Sequence, residues 1–220
     1  MPINYLRVLG KFPLLAQLMN TVIYSSSTTV LVVFTATLAA YSLAKLNLPG
    51  RTLLVVFFIS SLLLPPDMRA VPMYTLIAQW GWADTWKGMI FPLSCTGFAI
   101  FFMYQYMITV PQDLLDAARI DGASEGAILA RIVMPLSKTA IGTIGLYNFL
   151  FRWRDYVWPL VVTRGKVTTL AVGIGSLQTS EYLILWNLIG AGTMYLFIPS
   201  LILFLVLRRY IMRAVAIEFK

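Results

Sequence analysis

Charged residues are absent from three long stretches of this chain. The first runs from Phe12 to Ala44, the second from Gly88 to Gln112 and the third from Tyr182 to Leu207. A helix crossing a bilayer needs about 20 mostly apolar residues, so each stretch predicts one span. Two further segments are shorter. TLLVVFFISSLLLPP, from Thr52, stops at Asp67 and reaches full length only by borrowing from AVPMYTL. TAIGTIGLYNFLF, from Thr139, meets Arg152, Arg154 and Asp155 and resumes as YVWPLVV. Barrel strands would alternate strictly over about ten residues. These runs are longer and apolar on both parities. The expected fold is therefore all-α, a polytopic integral membrane protein of about five transmembrane helices, with residues 1–220 forming one domain.

Composition agrees with the pattern. Apolar residues make up 59% of 220 residues and charged residues 12%, against about 25% charged in soluble domains. Mean hydropathy is +0.79. The chain has no histidine and one cysteine, Cys95. That removes histidine catalysis, histidine metal ligation and any intrachain disulfide framework. The net charge of +8 is spread in short groups between apolar runs, which fits loop charge bias rather than nucleic-acid binding. Residues 1–20 show no signal-peptide pattern.

The loop charges set an orientation. Lys45, Arg51, Arg119, Arg131, Lys138, Arg208, Arg209, Arg213 and Lys220 fall on one side, and Arg7, Lys11, Arg69, Lys87, Arg164 and Lys166 on the other. The richer side is expected to be cytoplasmic. This places the C-terminus inside and, with an odd span count, Met1 outside.

One polar island interrupts the apolar pattern. VPQDLLDAARIDGASEGAILARIVMPLSK, residues 110–138, holds four of the nine acidic residues: Asp113, Asp116, Asp121 and Glu125. Pro111 suits the first turn of a helix, and Asp113 and Asp116 its positive end. Gly122 can take the left-handed conformation that closes a helix. Ser124 can cap a second one, with Leu129, Ile132 and Val133 on one face. The reading is helix, glycine turn, helix on the cytoplasmic side, and such a pair with small residues suits a groove on a partner.

The series Asp116-Ala117-Ala118, Gly122, Ile132 and Met134-Pro135 resembles the EAA signature of permease subunits from binding-protein-dependent ABC importers. AARIDGAS followed by RIVMPLSK is similar to the carbohydrate branch of that family, of the maltose and glycerol-phosphate type. AAYSLAKLNLPGR, WRDYVWPLVV and RRYIMR extend the resemblance over nearly the whole chain, as do Asn20, Pro65, Pro72, Tyr74, Gly81, Asp84, Pro92, Trp186 and Pro199. Asp116 stands for the usual Glu, Met134 for Leu, and Thr139 where proline is common. Members of the branch usually have six spans, so a further apolar segment is expected ahead of Met1.

The resemblance implies a type I ABC importer permease in a bacterial-type inner membrane. Its partners would be cytoplasmic ABC ATPase subunits, a second homologous permease subunit, an extracytoplasmic solute-binding protein and the lipid bilayer, with no nucleic acid. The chain has no phosphate-cradling G-x-x-x-x-G-K-[ST] loop, so it is expected to hold no cofactor and to catalyse no reaction, ATP being bound by the ATPase subunits. Asp116, Ala117, Ala118, Asp121, Gly122 and Pro135 would form the ATPase joint. Polar and aromatic residues within spans usually face an interior or cavity. Tyr104, Gln105, Tyr147, Asn148, Trp153 and Asp155 are the candidates for a solute path. For Trp153, Tyr156 and Trp158 an interfacial belt or packing is the favoured alternative. Asp155 would lie roughly 24 Å along a helix from Thr139, near the far membrane surface. Arg152 and Arg154 fit no recognised pattern beyond a local pair with Asp155. Two other readings stay open: a secondary transporter or channel, which predicts deep carboxylates or internal repeats, and an inactive truncated permease.

Overall fold

A computed structural model describes residues 13–176 and 186–217, with side chains up to Leu205. Arg7, Lys11 and Lys220 lie outside the described residues, as do the side chains of the RRYIMR cluster. All regular elements among the described residues are helical.

The first apolar stretch is one long helix, α1 (Leu14–Lys45). A turn with Gly50 at φ 73° leads into α2 (Arg51–Ser60). A 3-10 turn and Pro66–Arg69 precede α3 (Ala70–Gln79). The next stretch is not one continuous helix. It forms α4 (Trp86–Ile90) with a 3-10 turn to Leu93, then α5 (Gly97–Met107). The break has a local cause: Thr96 leaves the helical region and accepts from the Ala99 amide at 3.3 Å, starting a new helix. The polar island gives α6 (Gln112–Ile120) and α7 (Glu125–Ile128), a π-turn over Leu129–Val133 and α8 (Met134–Leu136). Then come α9 (Lys138–Trp153), α10 (Val157–Val162), α11 (Leu170–Gly175) and α12 (Trp186–Ile217). Two helices, α1 and α12, are long and apolar enough to span a membrane alone; if each bent helix pair counts as one span, the number reaches five.

The chain divides into two compact units. The first comprises residues 1–28, 66–93 and 148–207. Its core joins Tyr24, Ala70, Ile77, Met89, Trp158, Val162 and Val167. Trp158 donates its indole N–H to the Met89 carbonyl at 3.1 Å, so a large ring is buried without an orphaned donor. One face of α1 contributes buried polar residues here: Gln17, Thr21, Ser25 and Thr28. Their hydroxyls bond back into the helix, Thr21 to the Gln17 carbonyl at 2.8 Å, Ser25 to Thr21 at 2.7 Å and Thr28 to Tyr24 at 2.7 Å. Thr21 also accepts from the Leu170 amide at 2.9 Å, and Asn20 donates to the Thr168 carbonyl at 2.9 Å. Two backbone groups at the end of the loop ahead of α11 are thereby paired with α1 side chains.

The second unit comprises residues 29–65, 94–147 and 208–220. Its core runs from Val32, Ala36 and Ala40 of α1 through Ile100, Met103 and Met107 of α5 to Leu115, Ile128, Val133 and Ile144. The start of α5 sits hard against α2: a Cβ on Gly97 would lie 2.0 Å from Ser61 Oγ and 2.8 Å from the Phe58 carbonyl oxygen. No residue of α2 is buried, and Leu53 and Phe57 are 74% and 64% exposed. An apolar helix turned outward is the inverse of a soluble fold and fits lipid contact.

Candidate functional site

The polar island folds as helix, turn, helix. Pro111 occupies the position just ahead of α6 rather than its first turn, and Asp113 sits in the first turn. Leu115 is fully buried against the second unit's core, which fixes the inward face of α6. Its outward face exposes Asp113, Leu114, Asp116, Ala117 and Ile120, and Ile120 is 87% exposed.

Gly122 closes α6 with φ 82°. The Ala123 amide bonds to the Ala118 carbonyl at 2.9 Å and the Gly122 amide to the Arg119 carbonyl at 3.0 Å. This pair of bonds is the Schellman arrangement, in which a left-handed residue satisfies the last helical carbonyls. Asp121 is exposed at the C-cap. Ser124 then caps α7, accepting from the Ala127 amide at 3.3 Å. Pro135 follows the π-turn. It has no N–H to offer the Arg131 carbonyl, and the wider turn just ahead absorbs that lost helical bond. The segment Glu125–Leu136 meets α9 at a 78° bend.

Ala118 is partly buried and packs, like Ala123, against the second unit's core. Ala117, one residue earlier, is the exposed small residue.

Charge is organised around Arg119. Its guanidinium contacts Asp116 at 2.6 Å and Glu125 at 2.8 Å, so it bridges the two sides of the glycine turn. Glu125 also accepts from the Tyr41 hydroxyl of α1. Arg119, and then Tyr41, hold the Glu125 carboxyl below its usual value. The sequence alone did not single out Tyr41, nor did it pair Arg119 with Glu125.

The candidates for a solute path fall in both units. In the second unit, the Tyr104 hydroxyl accepts from Arg51 at 3.1 Å, with the guanidinium over its ring at 5.6 Å. Gln105 is exposed, and Tyr147 is half-exposed and tilted against Phe98, ring centroids 4.8 Å apart. In the first unit, Asn148 and Trp153 are buried, and Trp153 donates to the Leu196 carbonyl at 2.9 Å. Packing thus accounts for Trp153. Helix α9 ends at Trp153, and the Asp155 carboxylate just beyond it is largely enclosed by protein, its side chain 10% exposed. It accepts from Tyr24 at 2.7 Å and pairs with Arg152 at 3.0 Å. Arg154 lies over the Phe151 ring at 5.8 Å. Among the described residues no acidic, cysteine or histidine group could hold a metal.

Residues 18–217 match the family described as binding-protein-dependent transport system inner membrane component. The chain belongs to this family. This permease is 33% identical over 192 residues to the arabinooligosaccharides transport system permease protein AraQ of Bacillus subtilis (strain 168), covering 87% of this chain and 68% of AraQ. It is 32% identical over 203 residues to the sn-glycerol-3-phosphate transport system permease protein UgpE of Shigella flexneri serotype 5b (strain 8401), covering 91% and 72%. Its fold matches a chain from the crystal structure of a bacterial ABC transporter involved in the import of the acidic polysaccharide alginate. There the TM-score is 0.79 at 26% identity, over 94% of this permease and 78% of that chain.

Proposed function

We propose that this permease is the membrane subunit of an ATP-driven importer for a carbohydrate, polyol or sugar phosphate. Separate cytoplasmic ATPase subunits bind the ATP. A second permease subunit completes the pathway, and an extracytoplasmic binding protein delivers the solute. The named cargoes of AraQ, UgpE and the alginate importer are saccharides or a polyol phosphate, which supports this solute class.

The ATPase joint is the polar island, and its geometry carries the reading. Helix α6 is anchored inward by Leu115 and presents Asp113, Leu114, Asp116, Ala117 and Ile120 outward. Gly122 and Asp121 end it abruptly, so its exposed end can enter a cleft. Asp116 reaches Arg119 on its own helix, which holds the carboxylate in one place. Ala118 serves from behind, seating α6 on the core, and Pro135 sets where the chain turns into α9. ATP-driven closure shifts the permease between two states only as far as the contact free energy differs between them. Calorimetric titration of the cognate binding protein with arabino-oligosaccharides, glycerol 3-phosphate and free amino acids tests the solute class. Binding in the first two groups is expected. Tight binding of amino acids alone would overturn the carbohydrate assignment.

A further inference from the structure

The loop read above as the ATPase joint is tied to α1 as well as to the helix that follows it. Tyr41, 4% exposed on α1, donates its hydroxyl to Glu125 beyond the glycine turn. One turn further along α1, Lys45 donates to the Val110 carbonyl at 2.6 Å, just ahead of α6. The end of α1 thus holds the loop at both its entrance and its far side. Between these two bonds Leu115, Ala118 and Ala123 pack into the same core as Ala40, Tyr41 and Leu43. Arg119 completes the clasp by holding Glu125 at 2.8 Å and Asp116 at 2.6 Å.

The covalent path from the loop to α9 is of a different kind. It passes through the π-turn at Leu129–Val133 and the 78° bend before Lys138. Such a turn and bend are where a helical path yields. The link to α1 contains no such turn or bend: it consists of packed side chains and two hydrogen bonds made directly between α1 and the loop.

We propose that Tyr41, Lys45 and Glu125 latch the coupling loop to α1, so that α1 moves with α6 as one body during transport. This rests on the reading of the loop as the ATPase joint. Tyr41, Lys45 and Glu125 are positioning residues, since they act through α6 rather than on solute or nucleotide.

The test uses the assembled transporter in lipid nanodiscs, with Cys95→Ser removing the exposed native thiol. Spin labels go on Leu38→Cys of α1 and Ile120→Cys of α6, both at exposed positions. Distances are read by pulsed electron paramagnetic resonance without nucleotide and after trapping with ATP and vanadate. With the latch intact, the two distributions coincide. With Tyr41→Phe or Glu125→Ala, trapping shifts and broadens the distribution, and the double variant behaves as either single one. A distance that already shifts with the latch intact, or variants that keep coincident distributions, would overturn the proposal. The continuous-wave spectrum of the Ile120 label, with and without ATPase subunits, separates the two claims. Immobilisation on adding them supports the joint, whereas an unchanged spectrum removes the joint and leaves the distance data to judge the latch.

Discussion

Substitution at Gly122 separates backbone conformation from packing. The residue has φ 82°, and a Cβ placed there meets nothing within 4 Å. A larger side chain therefore clashes with nothing, and any effect comes from the left-handed backbone. For an ordinary L-residue that conformation costs about 1–2 kcal/mol, and more for a β-branched one, while asparagine visits it readily. Gly122→Val should thus weaken the closed turn by at least about 5–30-fold in equilibrium. The bonds at stake are those from Ala123 to Ala118 and from Gly122 to Arg119. Losing them frays the end of α6, where Ile120 stands exposed. The turn lies in the polar island, outside the long charge-free stretches, so insertion and yield should not change. In proteoliposomes containing the complete transporter, ATP turnover stimulated by the loaded binding protein should fall several-fold with Gly122→Val and much less with Gly122→Asn. Equal stimulated turnover in glycine, asparagine and valine forms would refute the reasoning, because it would show that the turn's conformation does not matter.

Three other outcomes follow from single contacts. Gly173→Ala places a Cβ 1.9 Å from the Gln17 amide oxygen; thermal unfolding in detergent should show a loss of about 1–3 kcal/mol, largely restored by adding Gln17→Ala. Asp155→Asn leaves the buried Arg152 without its counter-charge and should cost about 3–5 kcal/mol, whereas joint replacement of Arg152 and Asp155 by apolar residues of similar size should cost less. Glu125 has a lowered folded pKa, so its contribution is fully present above the ordinary glutamate value of about 4.3 and is lost as pH falls through the lower folded value. Protection factors of the Ala123–Ala127 amides, corrected for the intrinsic pH dependence of exchange, should fall over that window, and Glu125→Gln should abolish that fall.

The chain's charge-free runs made the helices legible because lipid imposes a long, one-sided requirement on composition. Gly122 and Ser124 were legible because each meets a local demand, a left-handed residue and an N-cap oxygen. The burial of Asp155 was not, since Tyr24, its hydroxyl partner, lies 131 positions away in sequence. Tyr41 and Glu125 are separated by 84 positions for the same reason. That Ala118 packs toward the core was not legible either, because its spacing in the motif does not say which face of α6 meets the core. Leu115 and Ala118 stand three residues apart, one turn of helix, and that relation decides the face once Leu115 is seen to be buried.

The central claim is that α6 and its glycine turn meet an ATPase. A benzophenone placed at Ile120 in the Cys95→Ser background tests it most directly. Irradiation of membranes holding the whole transporter should join this permease to the ATPase subunit, and the same probe at the outward Leu53 of α2 should give only lipid adducts. No ATPase adduct from Ile120, or an equal yield from Leu53, would contradict the account.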